Sequence, residues 1–323
     1  MKTPLFLITV LTFFTPQRII AQTIINNNSE VFGSWTLDMS PIIIDGLTIV
    51  PKGKELIIEP GVIVKFLASN GKHHGNEFSF GSESVGYLRV LGAIKAQGTK
   101  EKPIKFTRKG KSGYWGAIVI ENSNSPNYFN YCEIFFANQI WRIYDGTFSI
   151  NGISFENSKG EIRNSRIENC RSIGVSLRNS EVKVFNTVIN KNYIGILLYT
   201  TNSTIENCIV ANSKYEGILS RYSNSEVLNS IIWGNGLGID VKNQALIING
   251  QLTNLSQLDP TVMTSVSYSL IQCKKSDIEE KLKLDHNIYS KNPKFVNASS
   301  FVLKPNSNCI GKAHDGTNIG LKN

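Results

Sequence analysis

The chain has 323 residues, with 34 Lys and Arg against 25 Asp and Glu, for a formal charge of +9. That balance is mildly basic with no dense basic run, which argues against nucleic acid as a partner. Five cysteines are an odd number, so one chain cannot pair them all, and no C-x-x-C pair offers a structural zinc site.

Residues 1–22 read as a secretory signal peptide. Lys2 supplies the charged start, Pro4 to Phe14 the apolar stretch and Ala21 a cleavage point. The apolar run is too short to span a bilayer, and no later segment is long and apolar enough for membrane insertion. The first cysteine is Cys132, so no lipobox Cys stands near the cleavage point. These features predict a secreted or extracytoplasmic protein.

Residues 23–50 are expected to form an N-terminal cap, because an open end of stacked strands needs covering. Strand signals follow at 47–66 and 88–107, then at Trp115 to Ile118. Between the first two lies 67–87, a polar, Gly-rich stretch that reads as a long projecting loop.

Residues 160–244 are the most regular part. Asn164, Asn186, Asn207 and Asn229 recur at steps of 21 or 22 residues, and so do Gly174, Gly195, Gly217 and Gly238. Two markers sharing one period define a repeat architecture. Each repeat carries short β-branched runs. Alternation turns Val175, Leu177, Ile196, Leu198, Ile218, Ser220, Ile239 and Val241 inward. Apolar positions two before and three after each Asn supply two further inward faces. Such a unit cannot bury its faces alone, but stacked units bury them in columns. The expected fold is therefore all-β, a parallel β-helix solenoid of 21–22 residues per coil, as one domain over 23–323. Stacked Asn side chains would satisfy backbone groups at the bends and bond to one another. The Gly residues would serve tight turns or positive φ.

The pattern I-x-N-[SCT]-x-[IV] followed by G-[IV] resembles the right-handed parallel β-helix repeat proteins of the pectin-lyase-like group. LTIVPKGKELIIEPGVIVKF (47–66) resembles that group's opening coils, and NPKFVNASSFVLKPNSNCIG (292–311) its last ones, so 285–323 are expected to close the stack. The resemblance implies a right-handed coil. The same scaffold carries lyases, hydrolases and binding proteins, so it leaves activity open.

Cys132 and Cys208 follow the Asn marker position, in a column otherwise filled by Ser165, Thr187, Ser230 and Ser269. Buried small side chains are expected there. Cys273 and Cys309 are candidates for a bridge near the end of the stack.

Four residues after each repeat Gly come Arg178, Tyr199, Arg221 and Lys242. Stacked on one outer face, they would suit an acidic polysaccharide, with cations on carboxylate or sulfate and tyrosine on a sugar face. The alternative is an ordinary solvated face. The resembling lyases hold Ca²⁺ between acids of adjacent coils. Within 160–244 no such acidic stack is expected: Asp240 aligns with Leu219, Leu197 and Ser176, Glu206 with Phe185 and Leu228, and Glu168 with Asn190. No cofactor is therefore assigned. In the 67–87 loop, Glu77 and Glu83 are the close acid pair to consider for glycoside hydrolysis, while His73 and His74 lack metal-ligand spacing. Val188, Ile209 and Ile231 form an outward apolar column that either the chain's own 245–265 segment or a partner protein would cover. The favoured function is polysaccharide binding without turnover. A polysaccharide lyase, a glycoside hydrolase and an adhesion module are the alternatives.

Overall fold

A computed structural model describes residues 22–69, 85–142, 148–241, 247–248, 251–252, 263–277, 282–297 and 299–322. Among these, three long sheets contain eleven, ten and ten strands. The chain visits them in turn. Thr23–Ile25 enters the first sheet, Ser29–Glu30 the second and Gly33–Trp35 the third. It then returns to the first at Ile42–Ile44, paired in parallel with Thr23–Ile25. Later coils repeat that circuit as far as Leu237–Val241, the last described strand of the second sheet, after which the described strands of the stack alternate between the third and first sheets.

Residues 23–50 were expected as a cap, yet they are coil themselves. Their strands pair in register with the next turn, for example Thr23 with Ile42 and Ser29 with Thr48. Three-residue strands suffice because each is hydrogen-bonded to the coil above it.

The core is a set of inward columns. Val175, Leu177, Ile196, Leu198 and Ile218 are all buried in it, as alternation requires. In the early coils the filling is aromatic. Phe66 stacks on Trp115 with ring centroids 4.0 Å apart. Phe106, Phe129 and Phe155 follow one another at 6.3 Å.

The Asn marker residues make the bends. Asn164, Asn186, Asn207 and Asn229 have φ of 47°, 49°, 52° and 50°, a left-handed conformation that Asn tolerates. Each backbone N–H bonds to the next coil. Asn186 Nδ2 donates to Asn164 Oδ1, and Asn164 Nδ2 to Asn130 Oδ1, both at 2.8 Å. The ladder stops at Asn207, whose Oδ1 is buried without a partner. The repeat glycines do something other than turn. A Cβ on Gly195 would lie 2.4 Å from the Gly217 carbonyl oxygen and 2.5 Å from Val210 Cγ1. Glycine is needed there for close approach of neighbouring coils, not for positive φ.

Cys132, Ser165, Cys208 and Ser230 are buried in one column, with the Cys132 N–H donating to Ser165 Oγ and the Cys208 N–H to Ser230 Oγ. All five cysteines are free. Cys309 lies in a lateral cluster with Phe301 and Ile319, while Cys273 packs against the main core, so the expected Cys273–Cys309 bridge does not form.

The last strands, Lys283–Asp285 and Ile288–Tyr289, end the stack. Residues beyond 290 do not continue it, contrary to expectation. They fold back along the outside of the first sheet. Phe301, Cys309, Ala313 and Ile319 pack on Val188, Ile209, Ile231 and Leu270. The Gly320 N–H bonds to the Asn229 carbonyl and the Lys322 N–H to Asn186 Oδ1. The outward apolar column is therefore not a surface for a partner protein, because Val188, Ile209 and Ile231 are at most 2% exposed beneath the chain's own C-terminal segment. Most of residues 245–265, the other expected cover, lie outside the described residues. Among the described residues, no helix is long and apolar enough to cross a membrane.

Candidate functional site

The second sheet carries the residues of interest on its outer face. Its strands Ile173–Arg178, Ile194–Tyr199 and Glu216–Arg221 pair in parallel, setting Arg178 opposite Tyr199 and Tyr199 opposite Arg221. Lys242 lies outside the described residues, as do Glu77, Glu83, His73 and His74.

The column runs further back than the clean repeats. Glu156 is opposite Arg178, and Glu121 is opposite Glu156. An acidic stack thus exists immediately before 160–244. The sequence hid it because the hairpin formed by Gln139–Arg142 and Phe148–Glu156 lengthens that coil. Asn122 and Asn157, which follow the two acids, are 35 residues apart.

These groups are already engaged. Glu121 Oε2 accepts from Arg89 Nε and pairs with Arg89 Nη2, both at 2.8 Å. Glu156 Oε1 accepts from Ser154 Oγ at 2.6 Å. Arg178 was expected as an exposed cation but is only 9% exposed. Its guanidinium lies over the Tyr199 ring, 4.7 Å from the centroid, a cation–π contact that orients the ring. Tyr199 meets Tyr222 edge-on at 6.3 Å. Burial pushes the Tyr222 phenol above its ordinary pKa, with Tyr199 adding and Arg221 opposing. Arg221 is half-buried, and its Nε is buried without a partner.

Next to this column is a groove of about 810 Å³. It follows the turns that leave the second sheet, across four consecutive coils. Ser123, Ser158, Ser180 and Thr201 are buried beneath it. Their hydroxyls hold the turns: Ser158 Oγ accepts the Ser123 N–H, and Ser180 Oγ accepts the Ser158 N–H, both at 3.1 Å. Asn157, Asn179, Thr200, Lys159, Glu181 and Asn202 line the groove. Asn122, Asn157, Asn179, Thr200 and Tyr222 all have φ between 46° and 50°, which turns the chain sharply and leaves amides and hydroxyls along the rim. Lys159 Nζ and Glu181 Oε2 pair at 2.7 Å.

Glu121 is held by Arg89 and Glu156 by Ser154. Among the described residues no three of His, Cys, Asp and Glu gather to hold a metal.

Residues 151–310 match the family described as the right handed beta helix region. The fold is that of a right-handed parallel β-helix. No curated protein matches it. It is similar to the solved periplasmic alginate epimerase AlgG, at 15% identity over 81% of this chain and 73% of that one, with a TM-score of 0.42. It is also similar to pectate lyase Pel9A, at 10% identity over 93% and 83%, with a TM-score of 0.48. A third similarity is to the A-module of mannuronan C-5 epimerase AlgE4 from Azotobacter vinelandii, at 12% identity over 68% and 83%, with a TM-score of 0.28. At these identities the likeness carries no function across.

Proposed function

We propose that the chain is an extracytoplasmic protein that binds an acidic polysaccharide along the second sheet's outer edge without turning it over. The groove supports this most directly. It is open and lined by amides and hydroxyls, and it runs parallel to the stacking axis over four coils, about 14 Å at about 4.8 Å per rung. A linear polymer fits a linear periodic groove. Amides and hydroxyls supply both donors and acceptors for sugar hydroxyls. Tyr199, which precedes the lining residue Thr200, and Tyr222, which meets Tyr199 edge-on, would offer faces for apolar sugar edges beyond the groove, and Arg221 would bring a cation suited to carboxylate. Glu121, Glu156 and Glu181 are each engaged by a neighbour. The test is calorimetric titration with a polyuronate. Saturable binding that weakens in Asn179→Ala and Arg221→Ala supports the reading, and wild-type affinity in both contradicts it.

A lyase acting on an acidic glycan is the second reading. It is favoured by Glu156, Arg178 and Tyr199 occupying consecutive coils, since such chemistry needs a base and a cation for the neighbouring carboxylate. Unsaturated product ends, seen as growing ultraviolet absorbance, would establish it.

A further inference from the structure

The opposite edge of the same sheet carries an aromatic pair with no role in the core. Tyr193 and Tyr215 sit where successive coils leave the first sheet and enter the second. Backbone bonds hold them in vertical register: the Tyr193 N–H donates to the Ser172 carbonyl and the Tyr215 N–H to the Tyr193 carbonyl, both at 2.9 Å. Their ring centroids are 4.4 Å apart at an interplanar angle of 43°. Neither is covered, at 40% and 42% exposure. Lys214 Nζ lies 5.4 Å from one ring centroid and 5.5 Å from the other. Arg171 and Lys191 are exposed on the same edge. None of these three cations has an ion-pair partner among the described residues.

That combination is unusual for a solvated turn. Two large rings are kept in water, set one above the other by the coil register at a 43° tilt. They are rimmed by cations that have no ion-pair partner among the described residues, Arg171 also lying 5.9 Å from the Tyr114 ring centroid. Lys95, Lys105, Lys159 and Lys183, by contrast, are paired with Glu, although other exposed lysines such as Lys52 and Lys100 have no such partner among the described residues. What marks this edge is that its cations flank two exposed rings. An aromatic plate favours flat, partly apolar rings, and unpaired cations favour an anion beside them. A neutral peptide would leave the cations without use, and a fatty surface would leave them unpaired.

We propose that Tyr193 and Tyr215 form a second carbohydrate subsite, where an anionic sugar residue lies against the tyrosine rings with its carboxylate or sulfate among Arg171, Lys191 and Lys214. The inference rests on the polysaccharide-binding reading and extends it. The strand Ile194–Tyr199 separates this plate from the groove by about 20 Å, six residues at about 3.3 Å each. A single long chain laid across the sheet, or two separate chains, would engage both.

The experiment titrates the full chain with a galacturonate hexamer, its neutral methyl ester and a sulfated heparin hexamer. The Tyr193→Ala/Tyr215→Ala double variant is expected to lose at least about tenfold in affinity for an acidic probe, while Tyr193→Phe/Tyr215→Phe keeps it. Lys214→Gln is expected to weaken the acidic probes and leave the methyl ester unaltered. Both tyrosines are exposed, so thermal unfolding should stay at the wild-type temperature. Wild-type affinity in the double alanine variant overturns the second subsite. If Asn179→Ala and Arg221→Ala then still lose affinity, the groove reading stands alone. Failure of the wild-type chain to bind any probe overturns both.

Discussion

Arg178 and Tyr199 face each other in neighbouring coils, and the Arg178 guanidinium lies 4.7 Å from the centre of the Tyr199 ring. The arginine, opposite Glu156 and nearly buried, is a support for the ring and not a free cation. Tyr199→Phe should therefore leave polyuronate affinity close to wild type, because the ring and its cation remain. Tyr199→Ala should weaken binding severalfold and leave Arg178 without its aromatic partner. Calorimetric titration of both variants checks the difference.

Gly195 is where the repeat tolerates no side chain. An added Cβ meets the Gly217 carbonyl oxygen and Val210 at 2.4 and 2.5 Å. Both belong to the adjacent coil and are held by backbone pairing, so they cannot move aside locally. Gly195→Ala is expected to cost about 1–3 kcal/mol, as overpacking does, read as a lower urea midpoint with an unchanged slope.

The cysteines set an alkaline limit. Burial pushes the Cys170 and Cys208 thiols up to about 12 and Cys309 to about 11. Unfolded thiols titrate near about 8.5. Below that value both states are protonated and these groups cost the fold nothing. As pH rises past it, the unfolded chain releases protons that the folded chain retains, so stability falls toward the folded values. Urea midpoints should drop between neutral pH and pH of about 10, and less so in Cys208→Ser. Without reductant, native protein should react slowly with a thiol reagent, and the denatured full chain should show all five thiols.

The C-terminal segment shields the first sheet. Phe301 sits in the cluster that covers Val188, Ile209, Ile231 and Leu270. Phe301→Asp puts a charge there and should lift the segment. Far-ultraviolet circular dichroism should be retained, because the stack pairs with itself, while binding of an apolar dye increases. Unchanged dye binding with wild-type thermal stability would contradict this packing.

Much of the coil was legible because its markers obey covalent spacing. Asn164 to Asn229 keep one period, and each takes the left-handed turn that Asn permits. The site was less legible for two physical reasons. An inserted hairpin put Glu121 and Glu156 out of period, although Glu121-Asn122-Ser123, Glu156-Asn157-Ser158 and Arg178-Asn179-Ser180 repeat one pattern across it. That pattern was the available signal for the groove. Phe295 and Phe301, in turn, read as strand residues, because a segment laid on the outside of a sheet has the same apolar content as one inserted into the stack. Only the covered column, Val188 to Leu270, distinguishes the two placements.

The most direct measurement is titration of the full chain with a panel of acidic polysaccharides at low and high salt, with ultraviolet absorbance followed in the same samples. Saturable binding that weakens with salt, with no growth of absorbance, is the expected result. Absorbance growth on any member would make the protein a lyase, and absence of binding to every member would contradict the polysaccharide-binding account outright.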